Sequence, residues 1–466
     1  MSNTALPRLC IAAGSSGSGK TTFTCGLLGA LIRRGLKPAS FKCGPDYIDP
    51  MFHREVIGAP SSNLDLFFFD AGTMKYLIRE NTRGRDIAVL EGVMGFYDGL
   101  GGSTTEGSTW HIAEASETPV LLVENCAGVS LTAAARIKGM VSFRTPSRIK
   151  GVILNNCSEA FYGELKKAIQ GETGIAVYGY VPHLKDCIIE SRHLGLITAA
   201  EIKDLKEKIA MLTGVIETSV DIEGIITLAK SAAPLPAGSE PPVSGSTGVG
   251  IRIGVARDEA FCFYYQDNLD LLEKLGAELV EFSPLGDAHL PAGLQGVYLG
   301  GGYPELYGKL LSENKTMLRD IKDALQSGMP CIAECGGFMY LHETLADGDG
   351  TIYPLVGLLK GGCRKTSHLV RFGYASYTSL GDNLLCPSGG TIRGHEFHYW
   401  ESDNPGDSFI AQKPVSKKEW PAITATETLC AGFPHFHFYS NPGAARRYLE
   451  KCAGYRNRAI SCTPER

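Results

Sequence analysis

Gly14-Ser15-Ser16-Gly17-Ser18-Gly19-Lys20-Thr21-Thr22 follows directly on the apolar run Leu9-Cys10-Ile11-Ala12-Ala13. The stretch fits G-x-x-x-x-G-K-[ST], and a helical pattern of Leu27, Leu28, Leu31 and Ile32 comes after it. Glycines let successive backbone N–H groups converge on phosphates, and the helix N-terminus adds its positive dipole end. Gly14, Gly17, Ser18, Gly19, Lys20, Thr21 and Thr22 are therefore the candidate nucleotide-binding set. Lys20 would reach the β/γ-phosphates and Thr21 would place its hydroxyl on Mg²⁺. The pattern predicts a bound nucleoside triphosphate.

Acids should accompany such a loop. Ile87-Ala88-Val89-Leu90-Glu91-Gly92 puts Glu91 at the end of a buried strand, where ligands gather in open α/β sheets. Two further clusters stand near strand ends. Phe41 to Pro50 packs Lys42, Asp46 and Asp49 together, and Gly92 to Gly99 carries Asp98 on a glycine-rich loop. Taken one at a time, these aspartates are also ordinary turn residues.

A second chemistry is written after residue 250. Met329 to Leu341 reads as an apolar strand, a sharp turn at Cys335 and an amphipathic helix. Small neighbours permit a strained turn, and a helix N-terminus is expected to lower the thiol pKa. Leu299-Gly300-Gly301-Gly302 ends another strand, and its N–H groups, with that of Gly336, could form an oxyanion hole. The segment Gly432 to Phe438 supplies His435 and His437 as candidate bases. A cysteine and a distant histidine are the constellation of thiol acyl transfer.

These groups need elements to position them. From residue 9 to about 231, strand-like runs at 9–13, 39–43, 87–90, 120–124, 152–155 and 177–181 alternate with helical stretches. That alternation predicts a parallel sheet covered by helices on both faces. Residues 232–249 are rich in Pro, Gly and Ser and read as a linker. The pattern restarts with strands at 251–256, 278–282, 296–299 and 330–333, a helix over 264–275 and a strand-rich region over 373–400. The expected organisation is an α/β protein of two domains, 1–231 and 250–452, with a loose tail over 453–466.

Composition narrows the class. With 466 residues the chain exceeds a single core. Its net charge of -5 and lack of a dense basic block argue against nucleic acid as partner. No apolar run approaches 18 residues and no basic leader precedes one, so a cytoplasmic, membrane-free protein is expected. The fourteen cysteines form no C-x-x-C and most sit in apolar runs, as buried thiols do.

GSSGSGKTT, FKCGPDYIDP, VLEGVMGFYDG, ARDEAFCFYY, YLGGGYPE, CIAECGGFMYL, GHEFHYW and the His435/His437 segment together resemble the cobyrinate a,c-diamide synthase family over residues 9 to 450. The resemblance implies a dethiobiotin-synthetase-like P-loop domain joined to a class I, flavodoxin-like glutamine amidotransferase domain. It implies amidation of the a and c carboxylates of a corrin precursor with glutamine and ATP. By similarity Thr21, Asp46 and Glu91 would hold Mg²⁺, and Lys42 would contact the γ-phosphate or the carboxylate being activated. Tyr47, Asp49 and Asp98 would face the macrocycle, and Cys335 with His435 would release ammonia, which a protected passage would carry. Relatives of the wider class place Glu two residues after the histidine; here His437 stands there, so the acid that orients His435 is missing. Hydrogenobyrinate and nickel-sirohydrochlorin are the alternative substrates, and a homodimer is compatible with the resemblance. A partitioning-type regulatory ATPase would carry a lysine where Ser15 stands and would have no use for Cys335.

Overall fold

The computed structural model describes residues 6–184, 199–236, 238 and 247–461. The chain divides into two compact units, Met1–Glu240 and Pro241–Arg466, and the boundary falls inside the segment read as a linker.

In the first unit seven strands form one sheet: β1 (Arg8–Ala13), β2 (Pro38–Cys43), β3 (Ser61–Leu64), β4 (Ile87–Glu91), β5 (Val120–Asn125), β6 (Ile149–Asn155) and β7 (Ala176–Val181). Their order is β3-β2-β4-β1-β5-β6-β7, and every neighbouring pair is parallel. β1 and β4 are buried at every residue, which is why they read as unbroken apolar runs. After β1 the chain turns toward β2; after β4 it turns the other way, to β5. The crevice of such a sheet opens at that reversal, between the loops following β1 and β4.

The helix α1 (Lys20–Arg33) leaves the first of these loops and packs on the helix Ala199–Ser219. Gly26 makes the contact close: a β-carbon there would lie 2.6 Å from Ile216 Cγ1 and 2.9 Å from Leu212 Cγ.

The second unit has a six-stranded sheet. Its parallel core comprises β8 (Ile251–Ala256), β9 (Ala277–Phe282), β10 (Gly296–Leu299), β11 (Cys331–Glu334) and the strand Leu429–Gly432. Numbered within the unit, the spatial order is 2-1-3-4-5, the flavodoxin-like arrangement. The reversal lies between β8 and β10, so the Gly300–Gly302 loop opens into the crevice. A mixed four-stranded sheet and an antiparallel five-stranded sheet complete the unit. The second contains the long hairpin Arg371–Ser379 with Thr391–His398, and the strand His435–Phe436 lies along that hairpin.

Several strands, among them those over 342–365, go beyond the sequence reading, and two features differ most. β3 was not expected, because SSNL lacks an apolar run; neighbours on the sheet, rather than composition, make it a strand. The last helix spans Pro442–Ser461, reaching well into the segment expected to be loose, while 462–466 lie outside the described residues. Its buried Ala444, Ala445, Tyr448, Leu449 and Cys452 form an apolar stripe that holds it against the sheet.

The Gly26 contact sets two effects against each other. Alanine is favoured over glycine in a helix by about 1 kcal/mol, whereas forcing a methyl into a closed interface costs about 1–3 kcal/mol. Gly26→Ala should therefore lower the urea midpoint; a raised midpoint would mean that propensity outweighs packing.

Candidate active site

In the first unit Gly19 has φ 95, a conformation that favours glycine, and a β-carbon there would meet the Asn155 side chain at 2.2 Å. Asn155, at the end of β6, donates to Ser18 O at 2.9 Å and so braces the loop. Lys20 Nζ donates to Ser15 O at 3.1 Å and to Met94 O at 2.6 Å, tying the loops after β1 and β4 together. Burial, reinforced by Lys42, lowers its pKa to about 8.

Behind it lies a buried charge cluster. Glu91 Oε1 accepts from Thr21 Oγ1 at 2.6 Å and from Lys42 Nζ at 2.8 Å. Lys42 Nζ also donates to Asp49 Oδ2 at 2.5 Å, and Thr21 Oγ1 is 3.5 Å from the same oxygen. Burial opposes the Lys42 charge, yet Asp49 and Glu91 hold it well above its ordinary pKa. Glu91 Oε2 is buried without a hydrogen-bond partner, with His53 Nε2 3.4 Å away.

The sequence candidates thus separate. Thr21, Lys42, Asp49 and Glu91 meet in one cluster. Asp46 instead caps the following turn: its Oδ1 accepts from the N–H groups of Ile48 at 2.8 Å and Asp49 at 3.2 Å. Burial and Asp49 push its pKa up to about 7. Asp98 accepts from Gly95 N at 2.9 Å and shapes its own loop. Tyr47 stands half-buried just before the short helix Ile48–Phe52. Asn63, which the sequence did not single out, donates to Gly44 O at 2.9 Å and Asp46 O at 2.6 Å and holds that loop in place.

The cluster's donors are hard oxygens, suited to Mg²⁺, which takes one or two carboxylates together with phosphate oxygens and water. The orphaned Glu91 Oε2 beside the Thr21 hydroxyl fits that ion.

In the second unit Cys335 sits at the turn between β11 and the short helix Gly336–Tyr340 with φ 48, a strained angle for a residue with a side chain. Its N–H donates to Gly432 O at 2.8 Å. The thiol differs from the sequence expectation: burial, then the nearby Glu305 carboxylate, pushes its pKa well up, and a hydrogen bond from Gly336 N–H only partly offsets this. Gly302 N lies 3.0 Å from where a β-carbon on Gly336 would stand. Gly301, by contrast, donates its N–H to Phe263 O at 3.3 Å, while the Gly302 N–H stands near Gly336, whose own N–H bonds the Cys335 thiol. A β-carbon on Gly301 would strike the His435 ring at 2.3 Å, so only glycine admits that imidazole.

His435 and His437 are both buried, and burial lowers each to about 3, so both are neutral at physiological pH. His437 packs on the Tyr265 ring, with Nε2 3.9 Å from Asp267 Oδ2. Beside His435 is an acid that the sequence reading missed. Glu334 Oε2 stands 3.9 Å from His435 Nδ1, Glu334 Oε1 accepts from Phe436 N at 3.1 Å, and Tyr298 donates to Oε2 at 3.1 Å. Burial raises Glu334 to about 8. Its signal was a charged residue ending the otherwise apolar strand CIAE.

Residues 9–197 match the model of the CobQ/CobB/MinD/ParA nucleotide binding domain, and 252–443 that of the CobB/CobQ-like glutamine amidotransferase domain. A cobyrinate a,c-diamide synthase of Caldanaerobacter subterraneus subsp. tengcongensis is 38% identical over 96% of this chain and 98% of its own. One from Dehalococcoides mccartyi (strain CBDB1) is 40% identical over 95% and 97%, and one from Thermoplasma volcanium 39% over 98% and 100%. The chain belongs to the cobyrinate a,c-diamide synthase family. It is accordingly an amide-forming, glutamine-hydrolysing ligase, and the nucleotide-binding first unit makes ATP its co-substrate. As a member of the cobyrinate a,c-diamide synthase family it pairs two chemistries on one chain. Among the described residues no helix is long and apolar enough to cross a membrane.

Two measurements follow from this geometry. Lys42→Met leaves Asp49 and Glu91 buried without their cation, a loss of about 3–5 kcal/mol, so the nucleotide-free protein should melt at distinctly lower temperature; an unchanged melt would mean water already reaches the cluster. Because the Cys335 thiol is pushed up, its alkylation by iodoacetamide, followed by peptide mapping, should be slow at neutral pH and still rising at pH 9. A plateau near pH 7 would reveal a thiolate already formed in the resting protein.

Proposed function

We propose that the chain amidates the a and c side-chain carboxylates of cobyrinate, using ATP to activate each carboxylate and glutamine as nitrogen donor. The observation that carries this is the coexistence of two centres: the phosphate-type loop backed by the Thr21–Lys42–Asp49–Glu91 cluster, and a strained cysteine hydrogen-bonded by the Gly336 N–H.

A carboxylate resists attack by ammonia because it is anionic and resonance-stabilised. Transfer of the γ-phosphoryl group to a carboxylate oxygen releases ADP and leaves an acyl phosphate, whose phosphate is then a good leaving group. Such transfer needs positioning and charge neutralisation more than covalent help. Lys20, turned from its two carbonyl partners toward the phosphates, supplies part of that charge. Phosphate oxygens near it would also restore its full protonation, which burial now opposes. Lys42 stands ready to meet the carboxylate or the γ-phosphate. Mg²⁺ held by Thr21 and Glu91 would supply further neutralisation of the phosphate oxygens. Asp49, paired with Lys42, belongs to this cluster rather than to a separate macrocycle contact, and Asp46 acts by holding the turn that delivers it.

In the second unit neutral His435 accepts the Cys335 proton as the sulfur attacks the glutamine carboxamide carbon. The oxyanion that forms faces the N–H groups of Gly302 and Gly336. Collapse breaks the C–N bond, and ammonia leaves with the proton from His435. Water then hydrolyses the thioester to glutamate, and the ammonia displaces phosphate from the acyl phosphate. Glu334 secures the Phe436 backbone and so orients the neighbouring imidazole, a task that a carboxylate two residues after the histidine performs elsewhere in the class.

The experiment is a split of nitrogen sources. Cys335→Ala should lose glutamine-driven synthesis by at least about a thousandfold yet make diamide from ammonia at raised pH. Lys20→Ala should lose both. Ammonia-driven synthesis surviving in Lys20→Ala would overturn the phosphoryl-transfer step. Cobyrinate, hydrogenobyrinate and nickel-sirohydrochlorin offered in parallel decide the acceptor, and a preference for either of the latter two would overturn cobyrinate.

A further inference from the structure

The GHEFHYW segment has no part in the chemistry derived so far. Its residues 394–398 lie in the strand Thr391–His398, which pairs antiparallel with Arg371–Ser379 so that Arg371 lies opposite His398 and Gly373 opposite Glu396. Residues two apart on a strand share a face. Arg371, Glu396 and His398 therefore project to one side of the hairpin, whereas Phe397 points away and is exposed.

On that side is a cavity of about 110 Å³ whose wall also includes Trp420, Phe433 and Pro434. Phe433 and Pro434 immediately precede His435, so the cavity borders the glutaminase centre. The His398 ring stacks on Phe433 with centroids 3.9 Å apart and planes 4° from parallel, which pins the wall.

Its polar groups are of opposite sign and held rigidly. Glu396 is buried; its Oε1 accepts from Tyr377 OH at 2.6 Å, and its Oε2 is 3.3 Å from His398 Nε2. Arg371 lies 5.0 Å over the Trp420 ring and donates to Val370 O at 3.1 Å, but makes no ion pair among the described residues. Arg371, with no carboxylate at ion-pair distance but near enough to Glu396 to help hold that carboxyl's pKa down, and the fixed buried Glu396 share one apolar-walled cavity, also bordered by Glu401, and match a zwitterion.

We propose that this cavity binds the α-carboxylate and α-ammonium groups of glutamine, Arg371 pairing with the carboxylate and Glu396 with the ammonium. The inference rests on the reading of glutamine as nitrogen donor. Guanidinium and carboxylate pair through two parallel hydrogen bonds, which gives geometric selectivity as well as attraction. Held at its α-end, glutamine would extend its side chain past Phe433 toward Cys335. Arg371 and Glu396 are thus specificity-determining residues that touch the donor and leave the bond-breaking to Cys335 and His435.

The test measures glutamine hydrolysis by the full chain. Arg371→Met should raise the KM for glutamine about tenfold or more, the scale of a lost charge-assisted bond, with a much smaller change in kcat; Arg371→Lys should recover part of the affinity. Independently of any variant, the unaltered protein should reject N-acetylglutamine and glutamine α-amide, each of which removes one charge. If it hydrolyses those analogues as readily as glutamine, or if Arg371→Met keeps its KM, the subsite is wrong while the donor reading stands. If the unaltered protein uses ammonia but never glutamine, both fall.

Discussion

A parallel strand buried on both faces can be apolar along its length and polar only where it ends. That constraint places nearly every chemical group in this protein. Glu91 closes β4, Asn155 closes β6 and Glu334 closes β11, each the last residue of its strand. Gly300 to Gly302 follow β10, Cys335 follows β11, and the phosphate-type loop follows β1. Since all the strands of the parallel core run the same way, their ends converge on one edge of each sheet, and the order reversal opens a crevice there. Chemistry collects where burial stops.

The same desolvation acts with opposite sign on acids and bases. It lowers Lys20 to about 8 and His435 to about 3, raises Glu334 to about 8 and drives the Cys335 thiol well up. Each shift favours the neutral form. In the resting second unit burial favours the uncharged form of both the Cys335 thiol and the His435 imidazole. Lys42 is the exception. Two carboxylates repay its desolvation, and it stays charged at the centre of the first site.

Glycines decide how near the backbones come. Gly19 yields to Asn155, Gly301 to the His435 ring and Gly337 to Leu299 O, which is 2.2 Å from where a β-carbon would stand. In the last two cases the approach brings the Gly300–Gly302 loop against the Cys335 turn and His435. The five-stranded antiparallel sheet contributes differently, since one segment, 429–436, joins the parallel sheet and then this one, carrying His435 between them.

The phosphate-type loop, the cysteine turn and ten of the strands were legible as local patterns, because apolar runs and glycine turns act over a few residues. Asn63 and β3 were not: a polar SSNL becomes a strand only through its pairing with β2. Nor could spacing say which aspartate joins Lys42 and which caps a turn, since Asp46 and Asp49 sit three residues apart and hydrogen-bonding geometry alone divides them. Local spacing offers no acid near His435, whereas the structure sets Glu334 beside it from a different strand. By itself the sequence determined which chemistries this chain carries, because phosphate binding and the nucleophile turn are built from contiguous residues. Only the tertiary structure decided the partners of each charged group, because electrostatics and hydrogen bonding act through space, and folding brings together residues a hundred positions apart.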